Sequence, residues 1–353
     1  MARPVPDTAT ETAPEDSIEA ALGRGVASAD VAAIDPLVAT LRACADPARL
    51  AILRLLARDA FGVQELGTIL QLGQATVSHH LKTLVRAGLV AARRDGVHTF
   101  YRRAMAADGP GAAVHAALLR ELDARPVSAE LEPGRRAVFE ARAARSREFF
   151  TRNSDRFDAA RELIAAPGTY LPELAQMLPV RGDTVLELGP GPGEFLPELA
   201  ARFARVVAID VSREMLERAR RCCESQALDN VLLLRGELPD PAVPVTDAAL
   251  ATALATPPEV VVCAMMLHHT PHPELLVGRC AARLAPGGQL LIAELCPHGQ
   301  DWVHDACGDV WAGIDPEELG AWAAAAGLDA GPSQFLAQRN GFRIQLRRFH
   351  APD

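Results

Sequence analysis

The glycine-rich segment Gly189–Gly193 directly follows an apolar run that contains Glu187. Glycine at such a turn allows a ligand to approach the backbone closely, because a Cβ atom there would collide with it. The next apolar run, Arg205–Ile209, is followed by Asp210. Nucleotide-binding α/β folds place an acid there to accept hydrogen bonds from ribose hydroxyls. The pattern predicts a pocket for a nucleoside-containing cofactor, and its GxGxG spacing, in place of GxGxxG, favours a cofactor other than NAD.

Basic side chains are concentrated in one segment, although the chain as a whole is acidic. Residues 35–104 contain ten Lys and Arg against five Asp and Glu, a balance of +5, whereas the whole chain carries −9. DNA affinity depends on neutralising phosphates with such side chains. We therefore expect residues 35–104 to be the nucleic-acid-binding part of the chain.

Helix signals in this basic segment have the spacing of a helix-turn-helix. Asp46-Pro47 supplies an N-cap residue and then a proline at the first helical position. A second helix is expected over Val63–Leu70 and a third over Ala75–Ala87. The four residues between them, Gln71–Gln74, form a short turn in which Gly73 is available for a positive φ.

The third predicted helix has an apolar side and a polar side. Four residues recur at helical spacing on the apolar side: Val77, Leu81, Leu84 and Val85. The polar side is free to enter a DNA groove. After the helix, Leu89–Arg94 and Val97–Arg103 alternate apolar and polar residues around Asp95-Gly96, which predicts a β-hairpin.

The stretch that begins ADPARLAILRLL and ends VHTFYRRA closely resembles the ArsR/SmtB family of winged-helix repressors, over about Leu37–Leu122. The resemblance implies a homodimer whose paired recognition helices read an inverted repeat in double-stranded DNA. The DNA-binding residues it implies lie on the recognition helix and on the wing: Gln74, Thr76, Ser78, His79, Lys82, Arg93, Arg94 and His98. We expect His80, which lies nearer the apolar side, to be structural.

We predict no metal site. Many relatives of this family bind metals through a cysteine pair on the helix before the recognition helix, but that helix reads VQELGTIL here and has no thiol. Two other sets of residues are poorly arranged for an ion or are better explained by packing. They are Asp108, His115 and Glu121 after the wing, and His298, His304 and Cys307 further along the chain.

Glu187, the glycines after it and Asp210 resemble motif I of the class I S-adenosylmethionine-dependent methyltransferases. The resemblance runs from about Phe149 to Arg348 and includes a C-terminal hairpin around Asn340-Gly341. It implies a Rossmann-like domain that binds S-adenosyl-L-methionine or S-adenosyl-L-homocysteine. The cofactor-binding residues it implies are Glu187, Gly189, Gly191, Gly193, Asp210, Val211 and Glu237.

His268 occupies the place where small-molecule O-methyltransferases of this kind keep a catalytic histidine. By that resemblance it is the candidate general base, and the alternative is a structural histidine. Methyl transfer requires little more than alignment of the methyl group with a nucleophile. The sequence therefore leaves open whether the chain is an enzyme.

Length and composition predict two folded domains in an α/β protein. The chain has 353 residues, more than the usual ~100–200 of a single domain. We expect a disordered tail over residues 1–33 and a winged helix-turn-helix domain over 34–124. A linker and entry helix over 125–168 then lead to a class I methyltransferase-like domain over 169–353. The odd number of cysteines, seven, argues against a disulfide framework, and no apolar stretch is long enough for a membrane span.

These observations predict a cytoplasmic DNA-binding transcriptional regulator that makes no membrane contact. The abundance of Arg and Ala beside a single lysine, Lys82, is typical of a GC-rich bacterial genome. We expect a repressor whose second domain senses the methyl cycle. The alternative is a working methyltransferase that acts on a small-molecule acceptor and uses the winged helix for dimerisation or autoregulation.

Overall fold

The computed structural model of the chain describes residues 37–57, 59–95, 98–104, 112–125, 128–242, 244–300, 303 and 309–353. For residues 94, 95, 98, 143 and 145–160 it describes the backbone alone. Backbone contacts divide the chain into two compact units. The smaller unit comprises the described residues within Met1–Ala57, Ser78–Ala91 and Arg103–Pro126, and the larger comprises those within Arg58–Val77, Ala92–Arg102 and Val127–Asp353.

The N-terminal elements are short helices and strands in the order of a winged helix. They are α1 (Pro47–Leu55), β1 (Phe61–Gly62), α2 (Val63–Leu70), α3 (Gln74–Arg86), β2 (Val90–Asp95), β3 (His98–Arg103) and α4 (Ala112–Asp123), with residues 37–44 also helical. The predicted start of α1 is confirmed, since the Arg49 N–H donates to the Asp46 carboxylate at 3.0 Å. The strands form a sheet in the order β1-β3-β2.

Two details of the helix-turn-helix differ from the prediction. Gln71, and not Gly73, has the positive φ, at 55°. It is the first residue after α2, where a left-handed residue closes the helix and its N–H bonds to the Gly67 carbonyl. Val85 is 38% exposed and so is not part of the buried side of α3. At about 100° per residue it lies ~80° around the helix from Val77, at the edge of the apolar stripe.

The remaining elements alternate between strands and helices. They are α5 (Glu132–Ala165), α6 (Pro167–Gln176), β4 (Gly182–Leu188), α7 (Leu196–Arg202), β5 (Phe203–Asp210), α8 (Arg213–Gln226), β6 (Val231–Arg235), α9 (Ala248–Ala253), β7 (Val260–Ala264), a 3₁₀ turn (Leu267–His269), α10 (Pro273–Ala281), β8 (Gln289–Leu295), α11 (Pro316–Ala325), β9 (Asp329–Ala337) and β10 (Arg343–His350). None of the helices in the described part of the chain combines the length and apolar character needed to cross a membrane.

The seven-stranded sheet has the order β6-β5-β4-β7-β8-β10-β9. Strands β4 to β8 are parallel, and β10 is antiparallel to both of its neighbours, β8 and β9. Successive residues of β4 enter different cores, Val185 one and Leu186 the other, because side chains alternate across a strand. Helices cover both faces, as parallel sheets require. The predicted Rossmann-like fold is therefore confirmed, with its antiparallel C-terminal hairpin.

The strand order also locates a crevice. Strands β5 and β7 lie on opposite sides of β4, so the chain leaves the carboxyl ends of β4 and β7 in opposite directions. In open α/β sheets, ligands bind at this reversal point. The residues that follow β4, β5 and β7 are therefore the ones to examine.

Candidate functional site

A cavity of about 530 Å³ opens at the carboxyl ends of β4, β5 and β7. Its walls lie entirely within the larger unit. One wall is formed by the loops after the three strands, and the others by α5, α6 and α10. Six of the seven residues predicted to bind the cofactor line the cavity. The seventh, Gly193, is the last residue of the glycine loop, and the other two glycines of that loop, Gly189 and Gly191, line the cavity.

The glycine loop takes a backbone shape that side chains disfavour. Gly189, Gly191 and Gly193 have φ values of 64°, 56° and 89°. The Gly189 N–H donates to the Ile209 carbonyl at 2.9 Å, which ties the loop to β5. A Cβ added at Gly191 would meet no protein atom within 4 Å. Because Gly191 lines the cavity, that Cβ would project into space that a ligand can use.

Asp210 is buried at the end of β5, and the backbone fixes its carboxylate. The Ser212 N–H donates to it at 2.8 Å. Burial raises the pKa of Asp210 to about 6, and hydrogen bonds from the backbone N–H groups of Ser212, Gly191 and Val211 partly oppose that rise. Asp210 is therefore ionised at neutral pH and can accept hydrogen bonds from a ligand.

Glu187 lies deeper, at the end of β4, and is 2% exposed. Within the described residues, its Oε2 atom is buried and has no hydrogen-bond partner. Burial, with a smaller contribution from the charge of Asp210, raises the pKa of Glu187 to about 8. An unsatisfied buried acceptor is costly unless a ligand satisfies it.

The pKa of Glu187 leads to a stability prediction for the protein without cofactor. A carboxyl whose pKa is raised in the folded state stabilises the fold at low pH and loses that contribution as pH rises through about 8. Glu187→Gln keeps the shape without the charge. We expect its melting temperature relative to wild type to increase by ~5 °C between pH 5 and pH 9, about 2 kcal/mol for a domain of this size. Glu198→Gln, a half-buried glutamate on α7, is the control and should show a constant difference; a constant difference for Glu187→Gln as well would contradict the assignment.

The polar side of α3 is open to solvent, as predicted. Gln74, Thr76, His79 and Lys82 are exposed and Ser78 is half-buried, while Val77, Leu81 and Leu84 are buried. Of the residues predicted on the wing, Arg93 is half-buried and donates to the Gly313 carbonyl at 3.2 Å. The side chains of Arg94 and His98 lie outside the described residues. The structure thus presents the recognition-helix residues together, and contact with DNA stays a prediction for all eight.

Comparison with known families assigns both parts of the chain. A sequence profile described as a methyltransferase domain matches residues 133–330, which is more than half of the chain. The chain belongs to this methyltransferase family. A second profile, described as bacterial regulatory protein, arsR family, matches residues 46–92. The predicted combination of an ArsR-type helix-turn-helix with a methyltransferase domain is confirmed.

Individual relatives match one part or the other. An uncharacterized HTH-type transcriptional regulator of Methanocaldococcus jannaschii is 44% identical over 61 residues, which cover 17% of this chain and 68% of the regulator. A ubiquinone biosynthesis O-methyltransferase of Coxiella burnetii is 25% identical over 171 residues, 45% of this chain and 68% of that enzyme. A solved structure of a putative methyltransferase from Bacillus halodurans has a TM-score of 0.43 at 18% identity, and covers 53% of this chain and 100% of that one.

His268 in this methyltransferase-family chain lies between two buried carboxylates. It is 4% exposed, and its Nδ1 atom lies 2.5 Å from Oε1 of the buried Glu294. The neighbouring carboxylates of Glu294 and Asp309 outweigh burial and raise the pKa of His268 to about 9. Nδ1 faces Glu294 and Nε2 faces Asp309, and His268 is not one of the described residues that line the cavity, so neither ring nitrogen points at an acceptor there. A general-base role for His268 stays a prediction, and it is His269 that lines the cavity.

Several cavity residues carry no recognisable signal in the sequence. Phe139 of α5 and Tyr170 of α6 line it, together with His272 just before α10. Met265 has a φ of 52°, which is rare for a residue other than glycine, and its N–H donates to the Ala293 carbonyl at 2.8 Å. None of these positions belongs to a short motif, so only the fold brings them to the site.

Arg142, on α5, is 3% exposed and makes polar contacts with three segments of the larger unit. Its Nε and Nη2 atoms lie 2.7 Å and 2.6 Å from the two carboxylate oxygens of Glu65, on α2. Nη2 also donates to the Ala60 carbonyl at 2.9 Å, and Nη1 donates to the Pro271 carbonyl at 3.3 Å. The two contacts between Arg142 and Glu65 form a bidentate arginine–carboxylate pair, which is the stronger form of such an ion pair.

Aromatic rings surround the same guanidinium. Its Cζ atom lies 5.0–5.8 Å from the ring centres of Phe61, Phe100, Phe139 and Trp311. We call these four rings, with Arg142, Glu65, Ala60 and Pro271, the Arg142 cluster. Two of its members, Phe139 and Pro271, also line the cavity. The cluster thus joins the cavity wall to α2, the helix that precedes the recognition helix.

Proposed function

We propose that the chain is a homodimeric DNA-binding transcriptional repressor whose affinity for its operator depends on S-adenosyl-L-methionine or S-adenosyl-L-homocysteine bound in the cavity. The observation that carries the proposal is the Arg142 cluster, since Pro271 lines the cavity and Glu65 belongs to the helix-turn-helix. The ArsR-family match supports the DNA-binding part. The methyltransferase-domain match supports the cofactor part.

The cavity residues fit a cofactor of this type. Gly191 leaves room for a ligand against its backbone, and the unsatisfied Oε2 of Glu187 offers a buried acceptor. By the motif resemblance, the glycine loop and Glu187 would hold the methionyl part, and Asp210 would accept hydrogen bonds from both ribose hydroxyls. Glu237 would lie near the adenine, with Val211 in the same wall. When bound, S-adenosylmethionine supplies a sulfonium methyl group, which S-adenosylhomocysteine lacks.

Contacts between the cavity and α2 support such regulation. Phe139 lies between the cavity and Arg142, and its ring centre is 3.3 Å from that of His272, another cavity residue. The Nδ1 atom of His272 lies 3.0 Å from the carboxylate of Asp59, a residue that precedes β1. A ligand that displaces Phe139 or the Pro271–His272 segment would change the contacts of α2. Coupling requires that the ligand bind the two states of this cluster with different affinity.

Calorimetry on the full chain tests the proposal. Each cofactor form is titrated into the protein alone and into the protein bound to an operator selected from genomic DNA. We expect micromolar binding of at least one form and a Kd that changes by ~5-fold or more when the operator is bound, the lower end of typical coupling. Equal Kd values with and without operator would exclude sensing, and no binding of either form would exclude the cofactor assignment.

The recognition helix gives a separate prediction about DNA. His79, exposed on α3, is assigned to base edges, and Arg94 to phosphates. In His79→Ala we expect the ratio of operator to random-sequence affinity to fall ~10-fold, because a base contact carries sequence preference. In Arg94→Ala we expect both affinities to fall alike, with a shallower salt dependence. Fluorescence anisotropy at several salt concentrations measures both effects, and the same profile of losses in both variants would contradict the assignment.

A further inference from the structure

We propose that His268, His269 and Asp309 form a binding site for a divalent transition-metal ion of the zinc class, in the wall of the cavity. The two histidines follow β7, and Asp309 lies on the segment that leads to α11. One ligand atom from each residue lies within 4.8 Å of the others. Asp309 Oδ1 lies 3.4 Å from His269 Nδ1 and 3.8 Å from His268 Nε2.

These separations suit a single small ion. Zinc binds imidazole nitrogen and carboxylate oxygen at ~2.0–2.2 Å with tetrahedral geometry, which places neighbouring ligand atoms ~3.3 Å apart. The His269–Asp309 separation already has this value, and the His268–Asp309 separation is about half an ångström longer. The ligand atoms of the two histidines lie within 4.8 Å of each other, so side-chain shifts of about 1–1.5 Å would complete the set.

A buried carboxylate fixes the orientation of His268. Glu294 is fully buried, and its Oε1 lies 2.5 Å from His268 Nδ1. Backbone N–H groups of His268 and Leu295 donate to the same carboxylate at 3.2 Å and 2.6 Å. Glu294 therefore directs Nε2 toward Asp309. Metal-binding histidines typically have such a carboxylate on the ring nitrogen that does not bind the ion.

The backbone also holds Asp309 in place. Its neighbours Val310 and Trp311 donate their N–H groups to the His268 carbonyl at 2.9 Å and 3.0 Å. The Trp311 indole N–H donates to the Thr270 carbonyl at 2.8 Å. These bonds lock the segment that carries Asp309 against the turn that carries both histidines. The ligand set therefore depends on no flexible surface side chain.

The charge of the cluster favours a cation. The carboxylates of Asp309 and Glu294 have side-chain exposures of 1% and 0%. Two buried carboxylates beside one imidazole stabilise a positive charge there, and a metal ion would take the place of the proton on His268 Nε2. Two nitrogens and one oxygen are ligands that zinc, cobalt and nickel accept, whereas magnesium and calcium prefer oxygen alone.

The position of the site would let a bound ion contact a small molecule in the cavity. His269 lines the cavity, and three protein ligands leave a fourth position of a tetrahedral ion for a non-protein group. A metal here would be a second ligand of the same cavity, besides the cofactor. This inference goes beyond the proposed function and does not depend on it.

Titration of the full chain with zinc and cobalt ions tests the site. After chelator treatment we expect one Zn²⁺ per chain by native mass spectrometry, and a Co²⁺ absorption spectrum of a four-coordinate nitrogen and oxygen site. His269→Ala and Asp309→Asn should weaken Zn²⁺ binding at least ~30-fold. Glu294→Gln, which removes a positioning charge, should weaken it ~10-fold. Melting temperatures and circular dichroism identify any variant that fails to fold. Asp309→Asn keeps the side-chain volume, so it can still test the site if His269→Ala does not fold.

His298→Gln is the matched control. His298 lies in the segment after β8 and belongs to the alternative set considered in the sequence, so we expect this variant to bind zinc as wild type does. Equal losses in His298→Gln and His269→Ala would overturn the proposal. Failure of the wild-type protein to bind stoichiometric zinc would overturn it too. A strong thiolate-to-cobalt charge-transfer band would also overturn it, because it would place the ion on cysteine.

Discussion

The Arg142→Met variant is expected to bind its cofactor with a Kd within about threefold of wild type, while its operator affinity no longer responds to that cofactor. Arg142 lies outside the cavity lining but contacts both the Pro271 carbonyl and Glu65. Methionine preserves much of the packing against the four rings and removes every polar link. If the wild-type operator Kd changes ~10-fold with cofactor, we expect less than a twofold change in the variant.

Stability must be separated from coupling in this test. Removing one partner of a buried ion pair costs ~3–5 kcal/mol, much of it because the other charge is left uncompensated. The double variant Arg142→Met/Glu65→Gln neutralises that charge and should recover part of the stability without recovering the coupling. Arg202→Met is the matched control, because Arg202 also bonds a carbonyl, that of Ala175, and a carboxylate, that of Glu198, elsewhere in the larger unit. A full cofactor response in folded Arg142→Met would refute the role of this cluster.

The second large effect is expected at Asp210. Asp210→Asn should weaken binding of both cofactor forms ~100-fold, because each hydrogen bond from a ribose hydroxyl to the charged carboxylate contributes about 1.5–3 kcal/mol. The asparagine keeps one oxygen acceptor but loses the charge. Since the pKa of Asp210 is raised to about 6, wild-type affinity should also fall as pH drops through 6.

Calorimetric titrations between pH 5 and pH 8 measure both effects. Asp240→Asn, which removes an exposed carboxylate outside the cavity lining, is the control and should bind as wild type does at every pH. Wild-type affinity that is constant across this range would show that the Asp210 charge does not contribute. An Asp210→Asn protein with unchanged affinity would show that the ribose is held elsewhere.

The cavity position of the candidate cofactor residues could be predicted from the sequence because their signals are local. Glu187, the glycines and Asp210 follow consecutive strands, and parallel strands that are neighbours bring their carboxyl ends together. The helix-turn-helix could be predicted for the same reason, since apolar spacing and caps are properties of short segments. Errors such as Val85 arose at the edge of a stripe, where periodicity alone does not decide burial.

The partners of Arg142 and His268 could not be predicted in this way. Glu65 is 77 residues from Arg142, and Glu294 is 26 residues from His268, so only the folded chain brings each pair together. An isolated arginine in a charged helix and a histidine in an LHH turn have many possible partners. The charge that determines the protonation of His268 comes from residues that no local pattern links to it.

The contact between Glu65 and Arg142 also affects whether the helix-turn-helix can be produced as a separate fragment. Glu65 caps the start of α2 by accepting the Gly62 N–H at 2.8 Å, and the same carboxylate is neutralised by an arginine encoded downstream of the ArsR-family match. A fragment truncated after residue 126 would keep the acid and Phe61 but lose the guanidinium that covers both. The helix-turn-helix segment therefore depends on a residue outside it. Glu65 of the helix-turn-helix is paired with Arg142, so we expect that replacing the part of the chain that carries Arg142 would require a compensating change at residue 65.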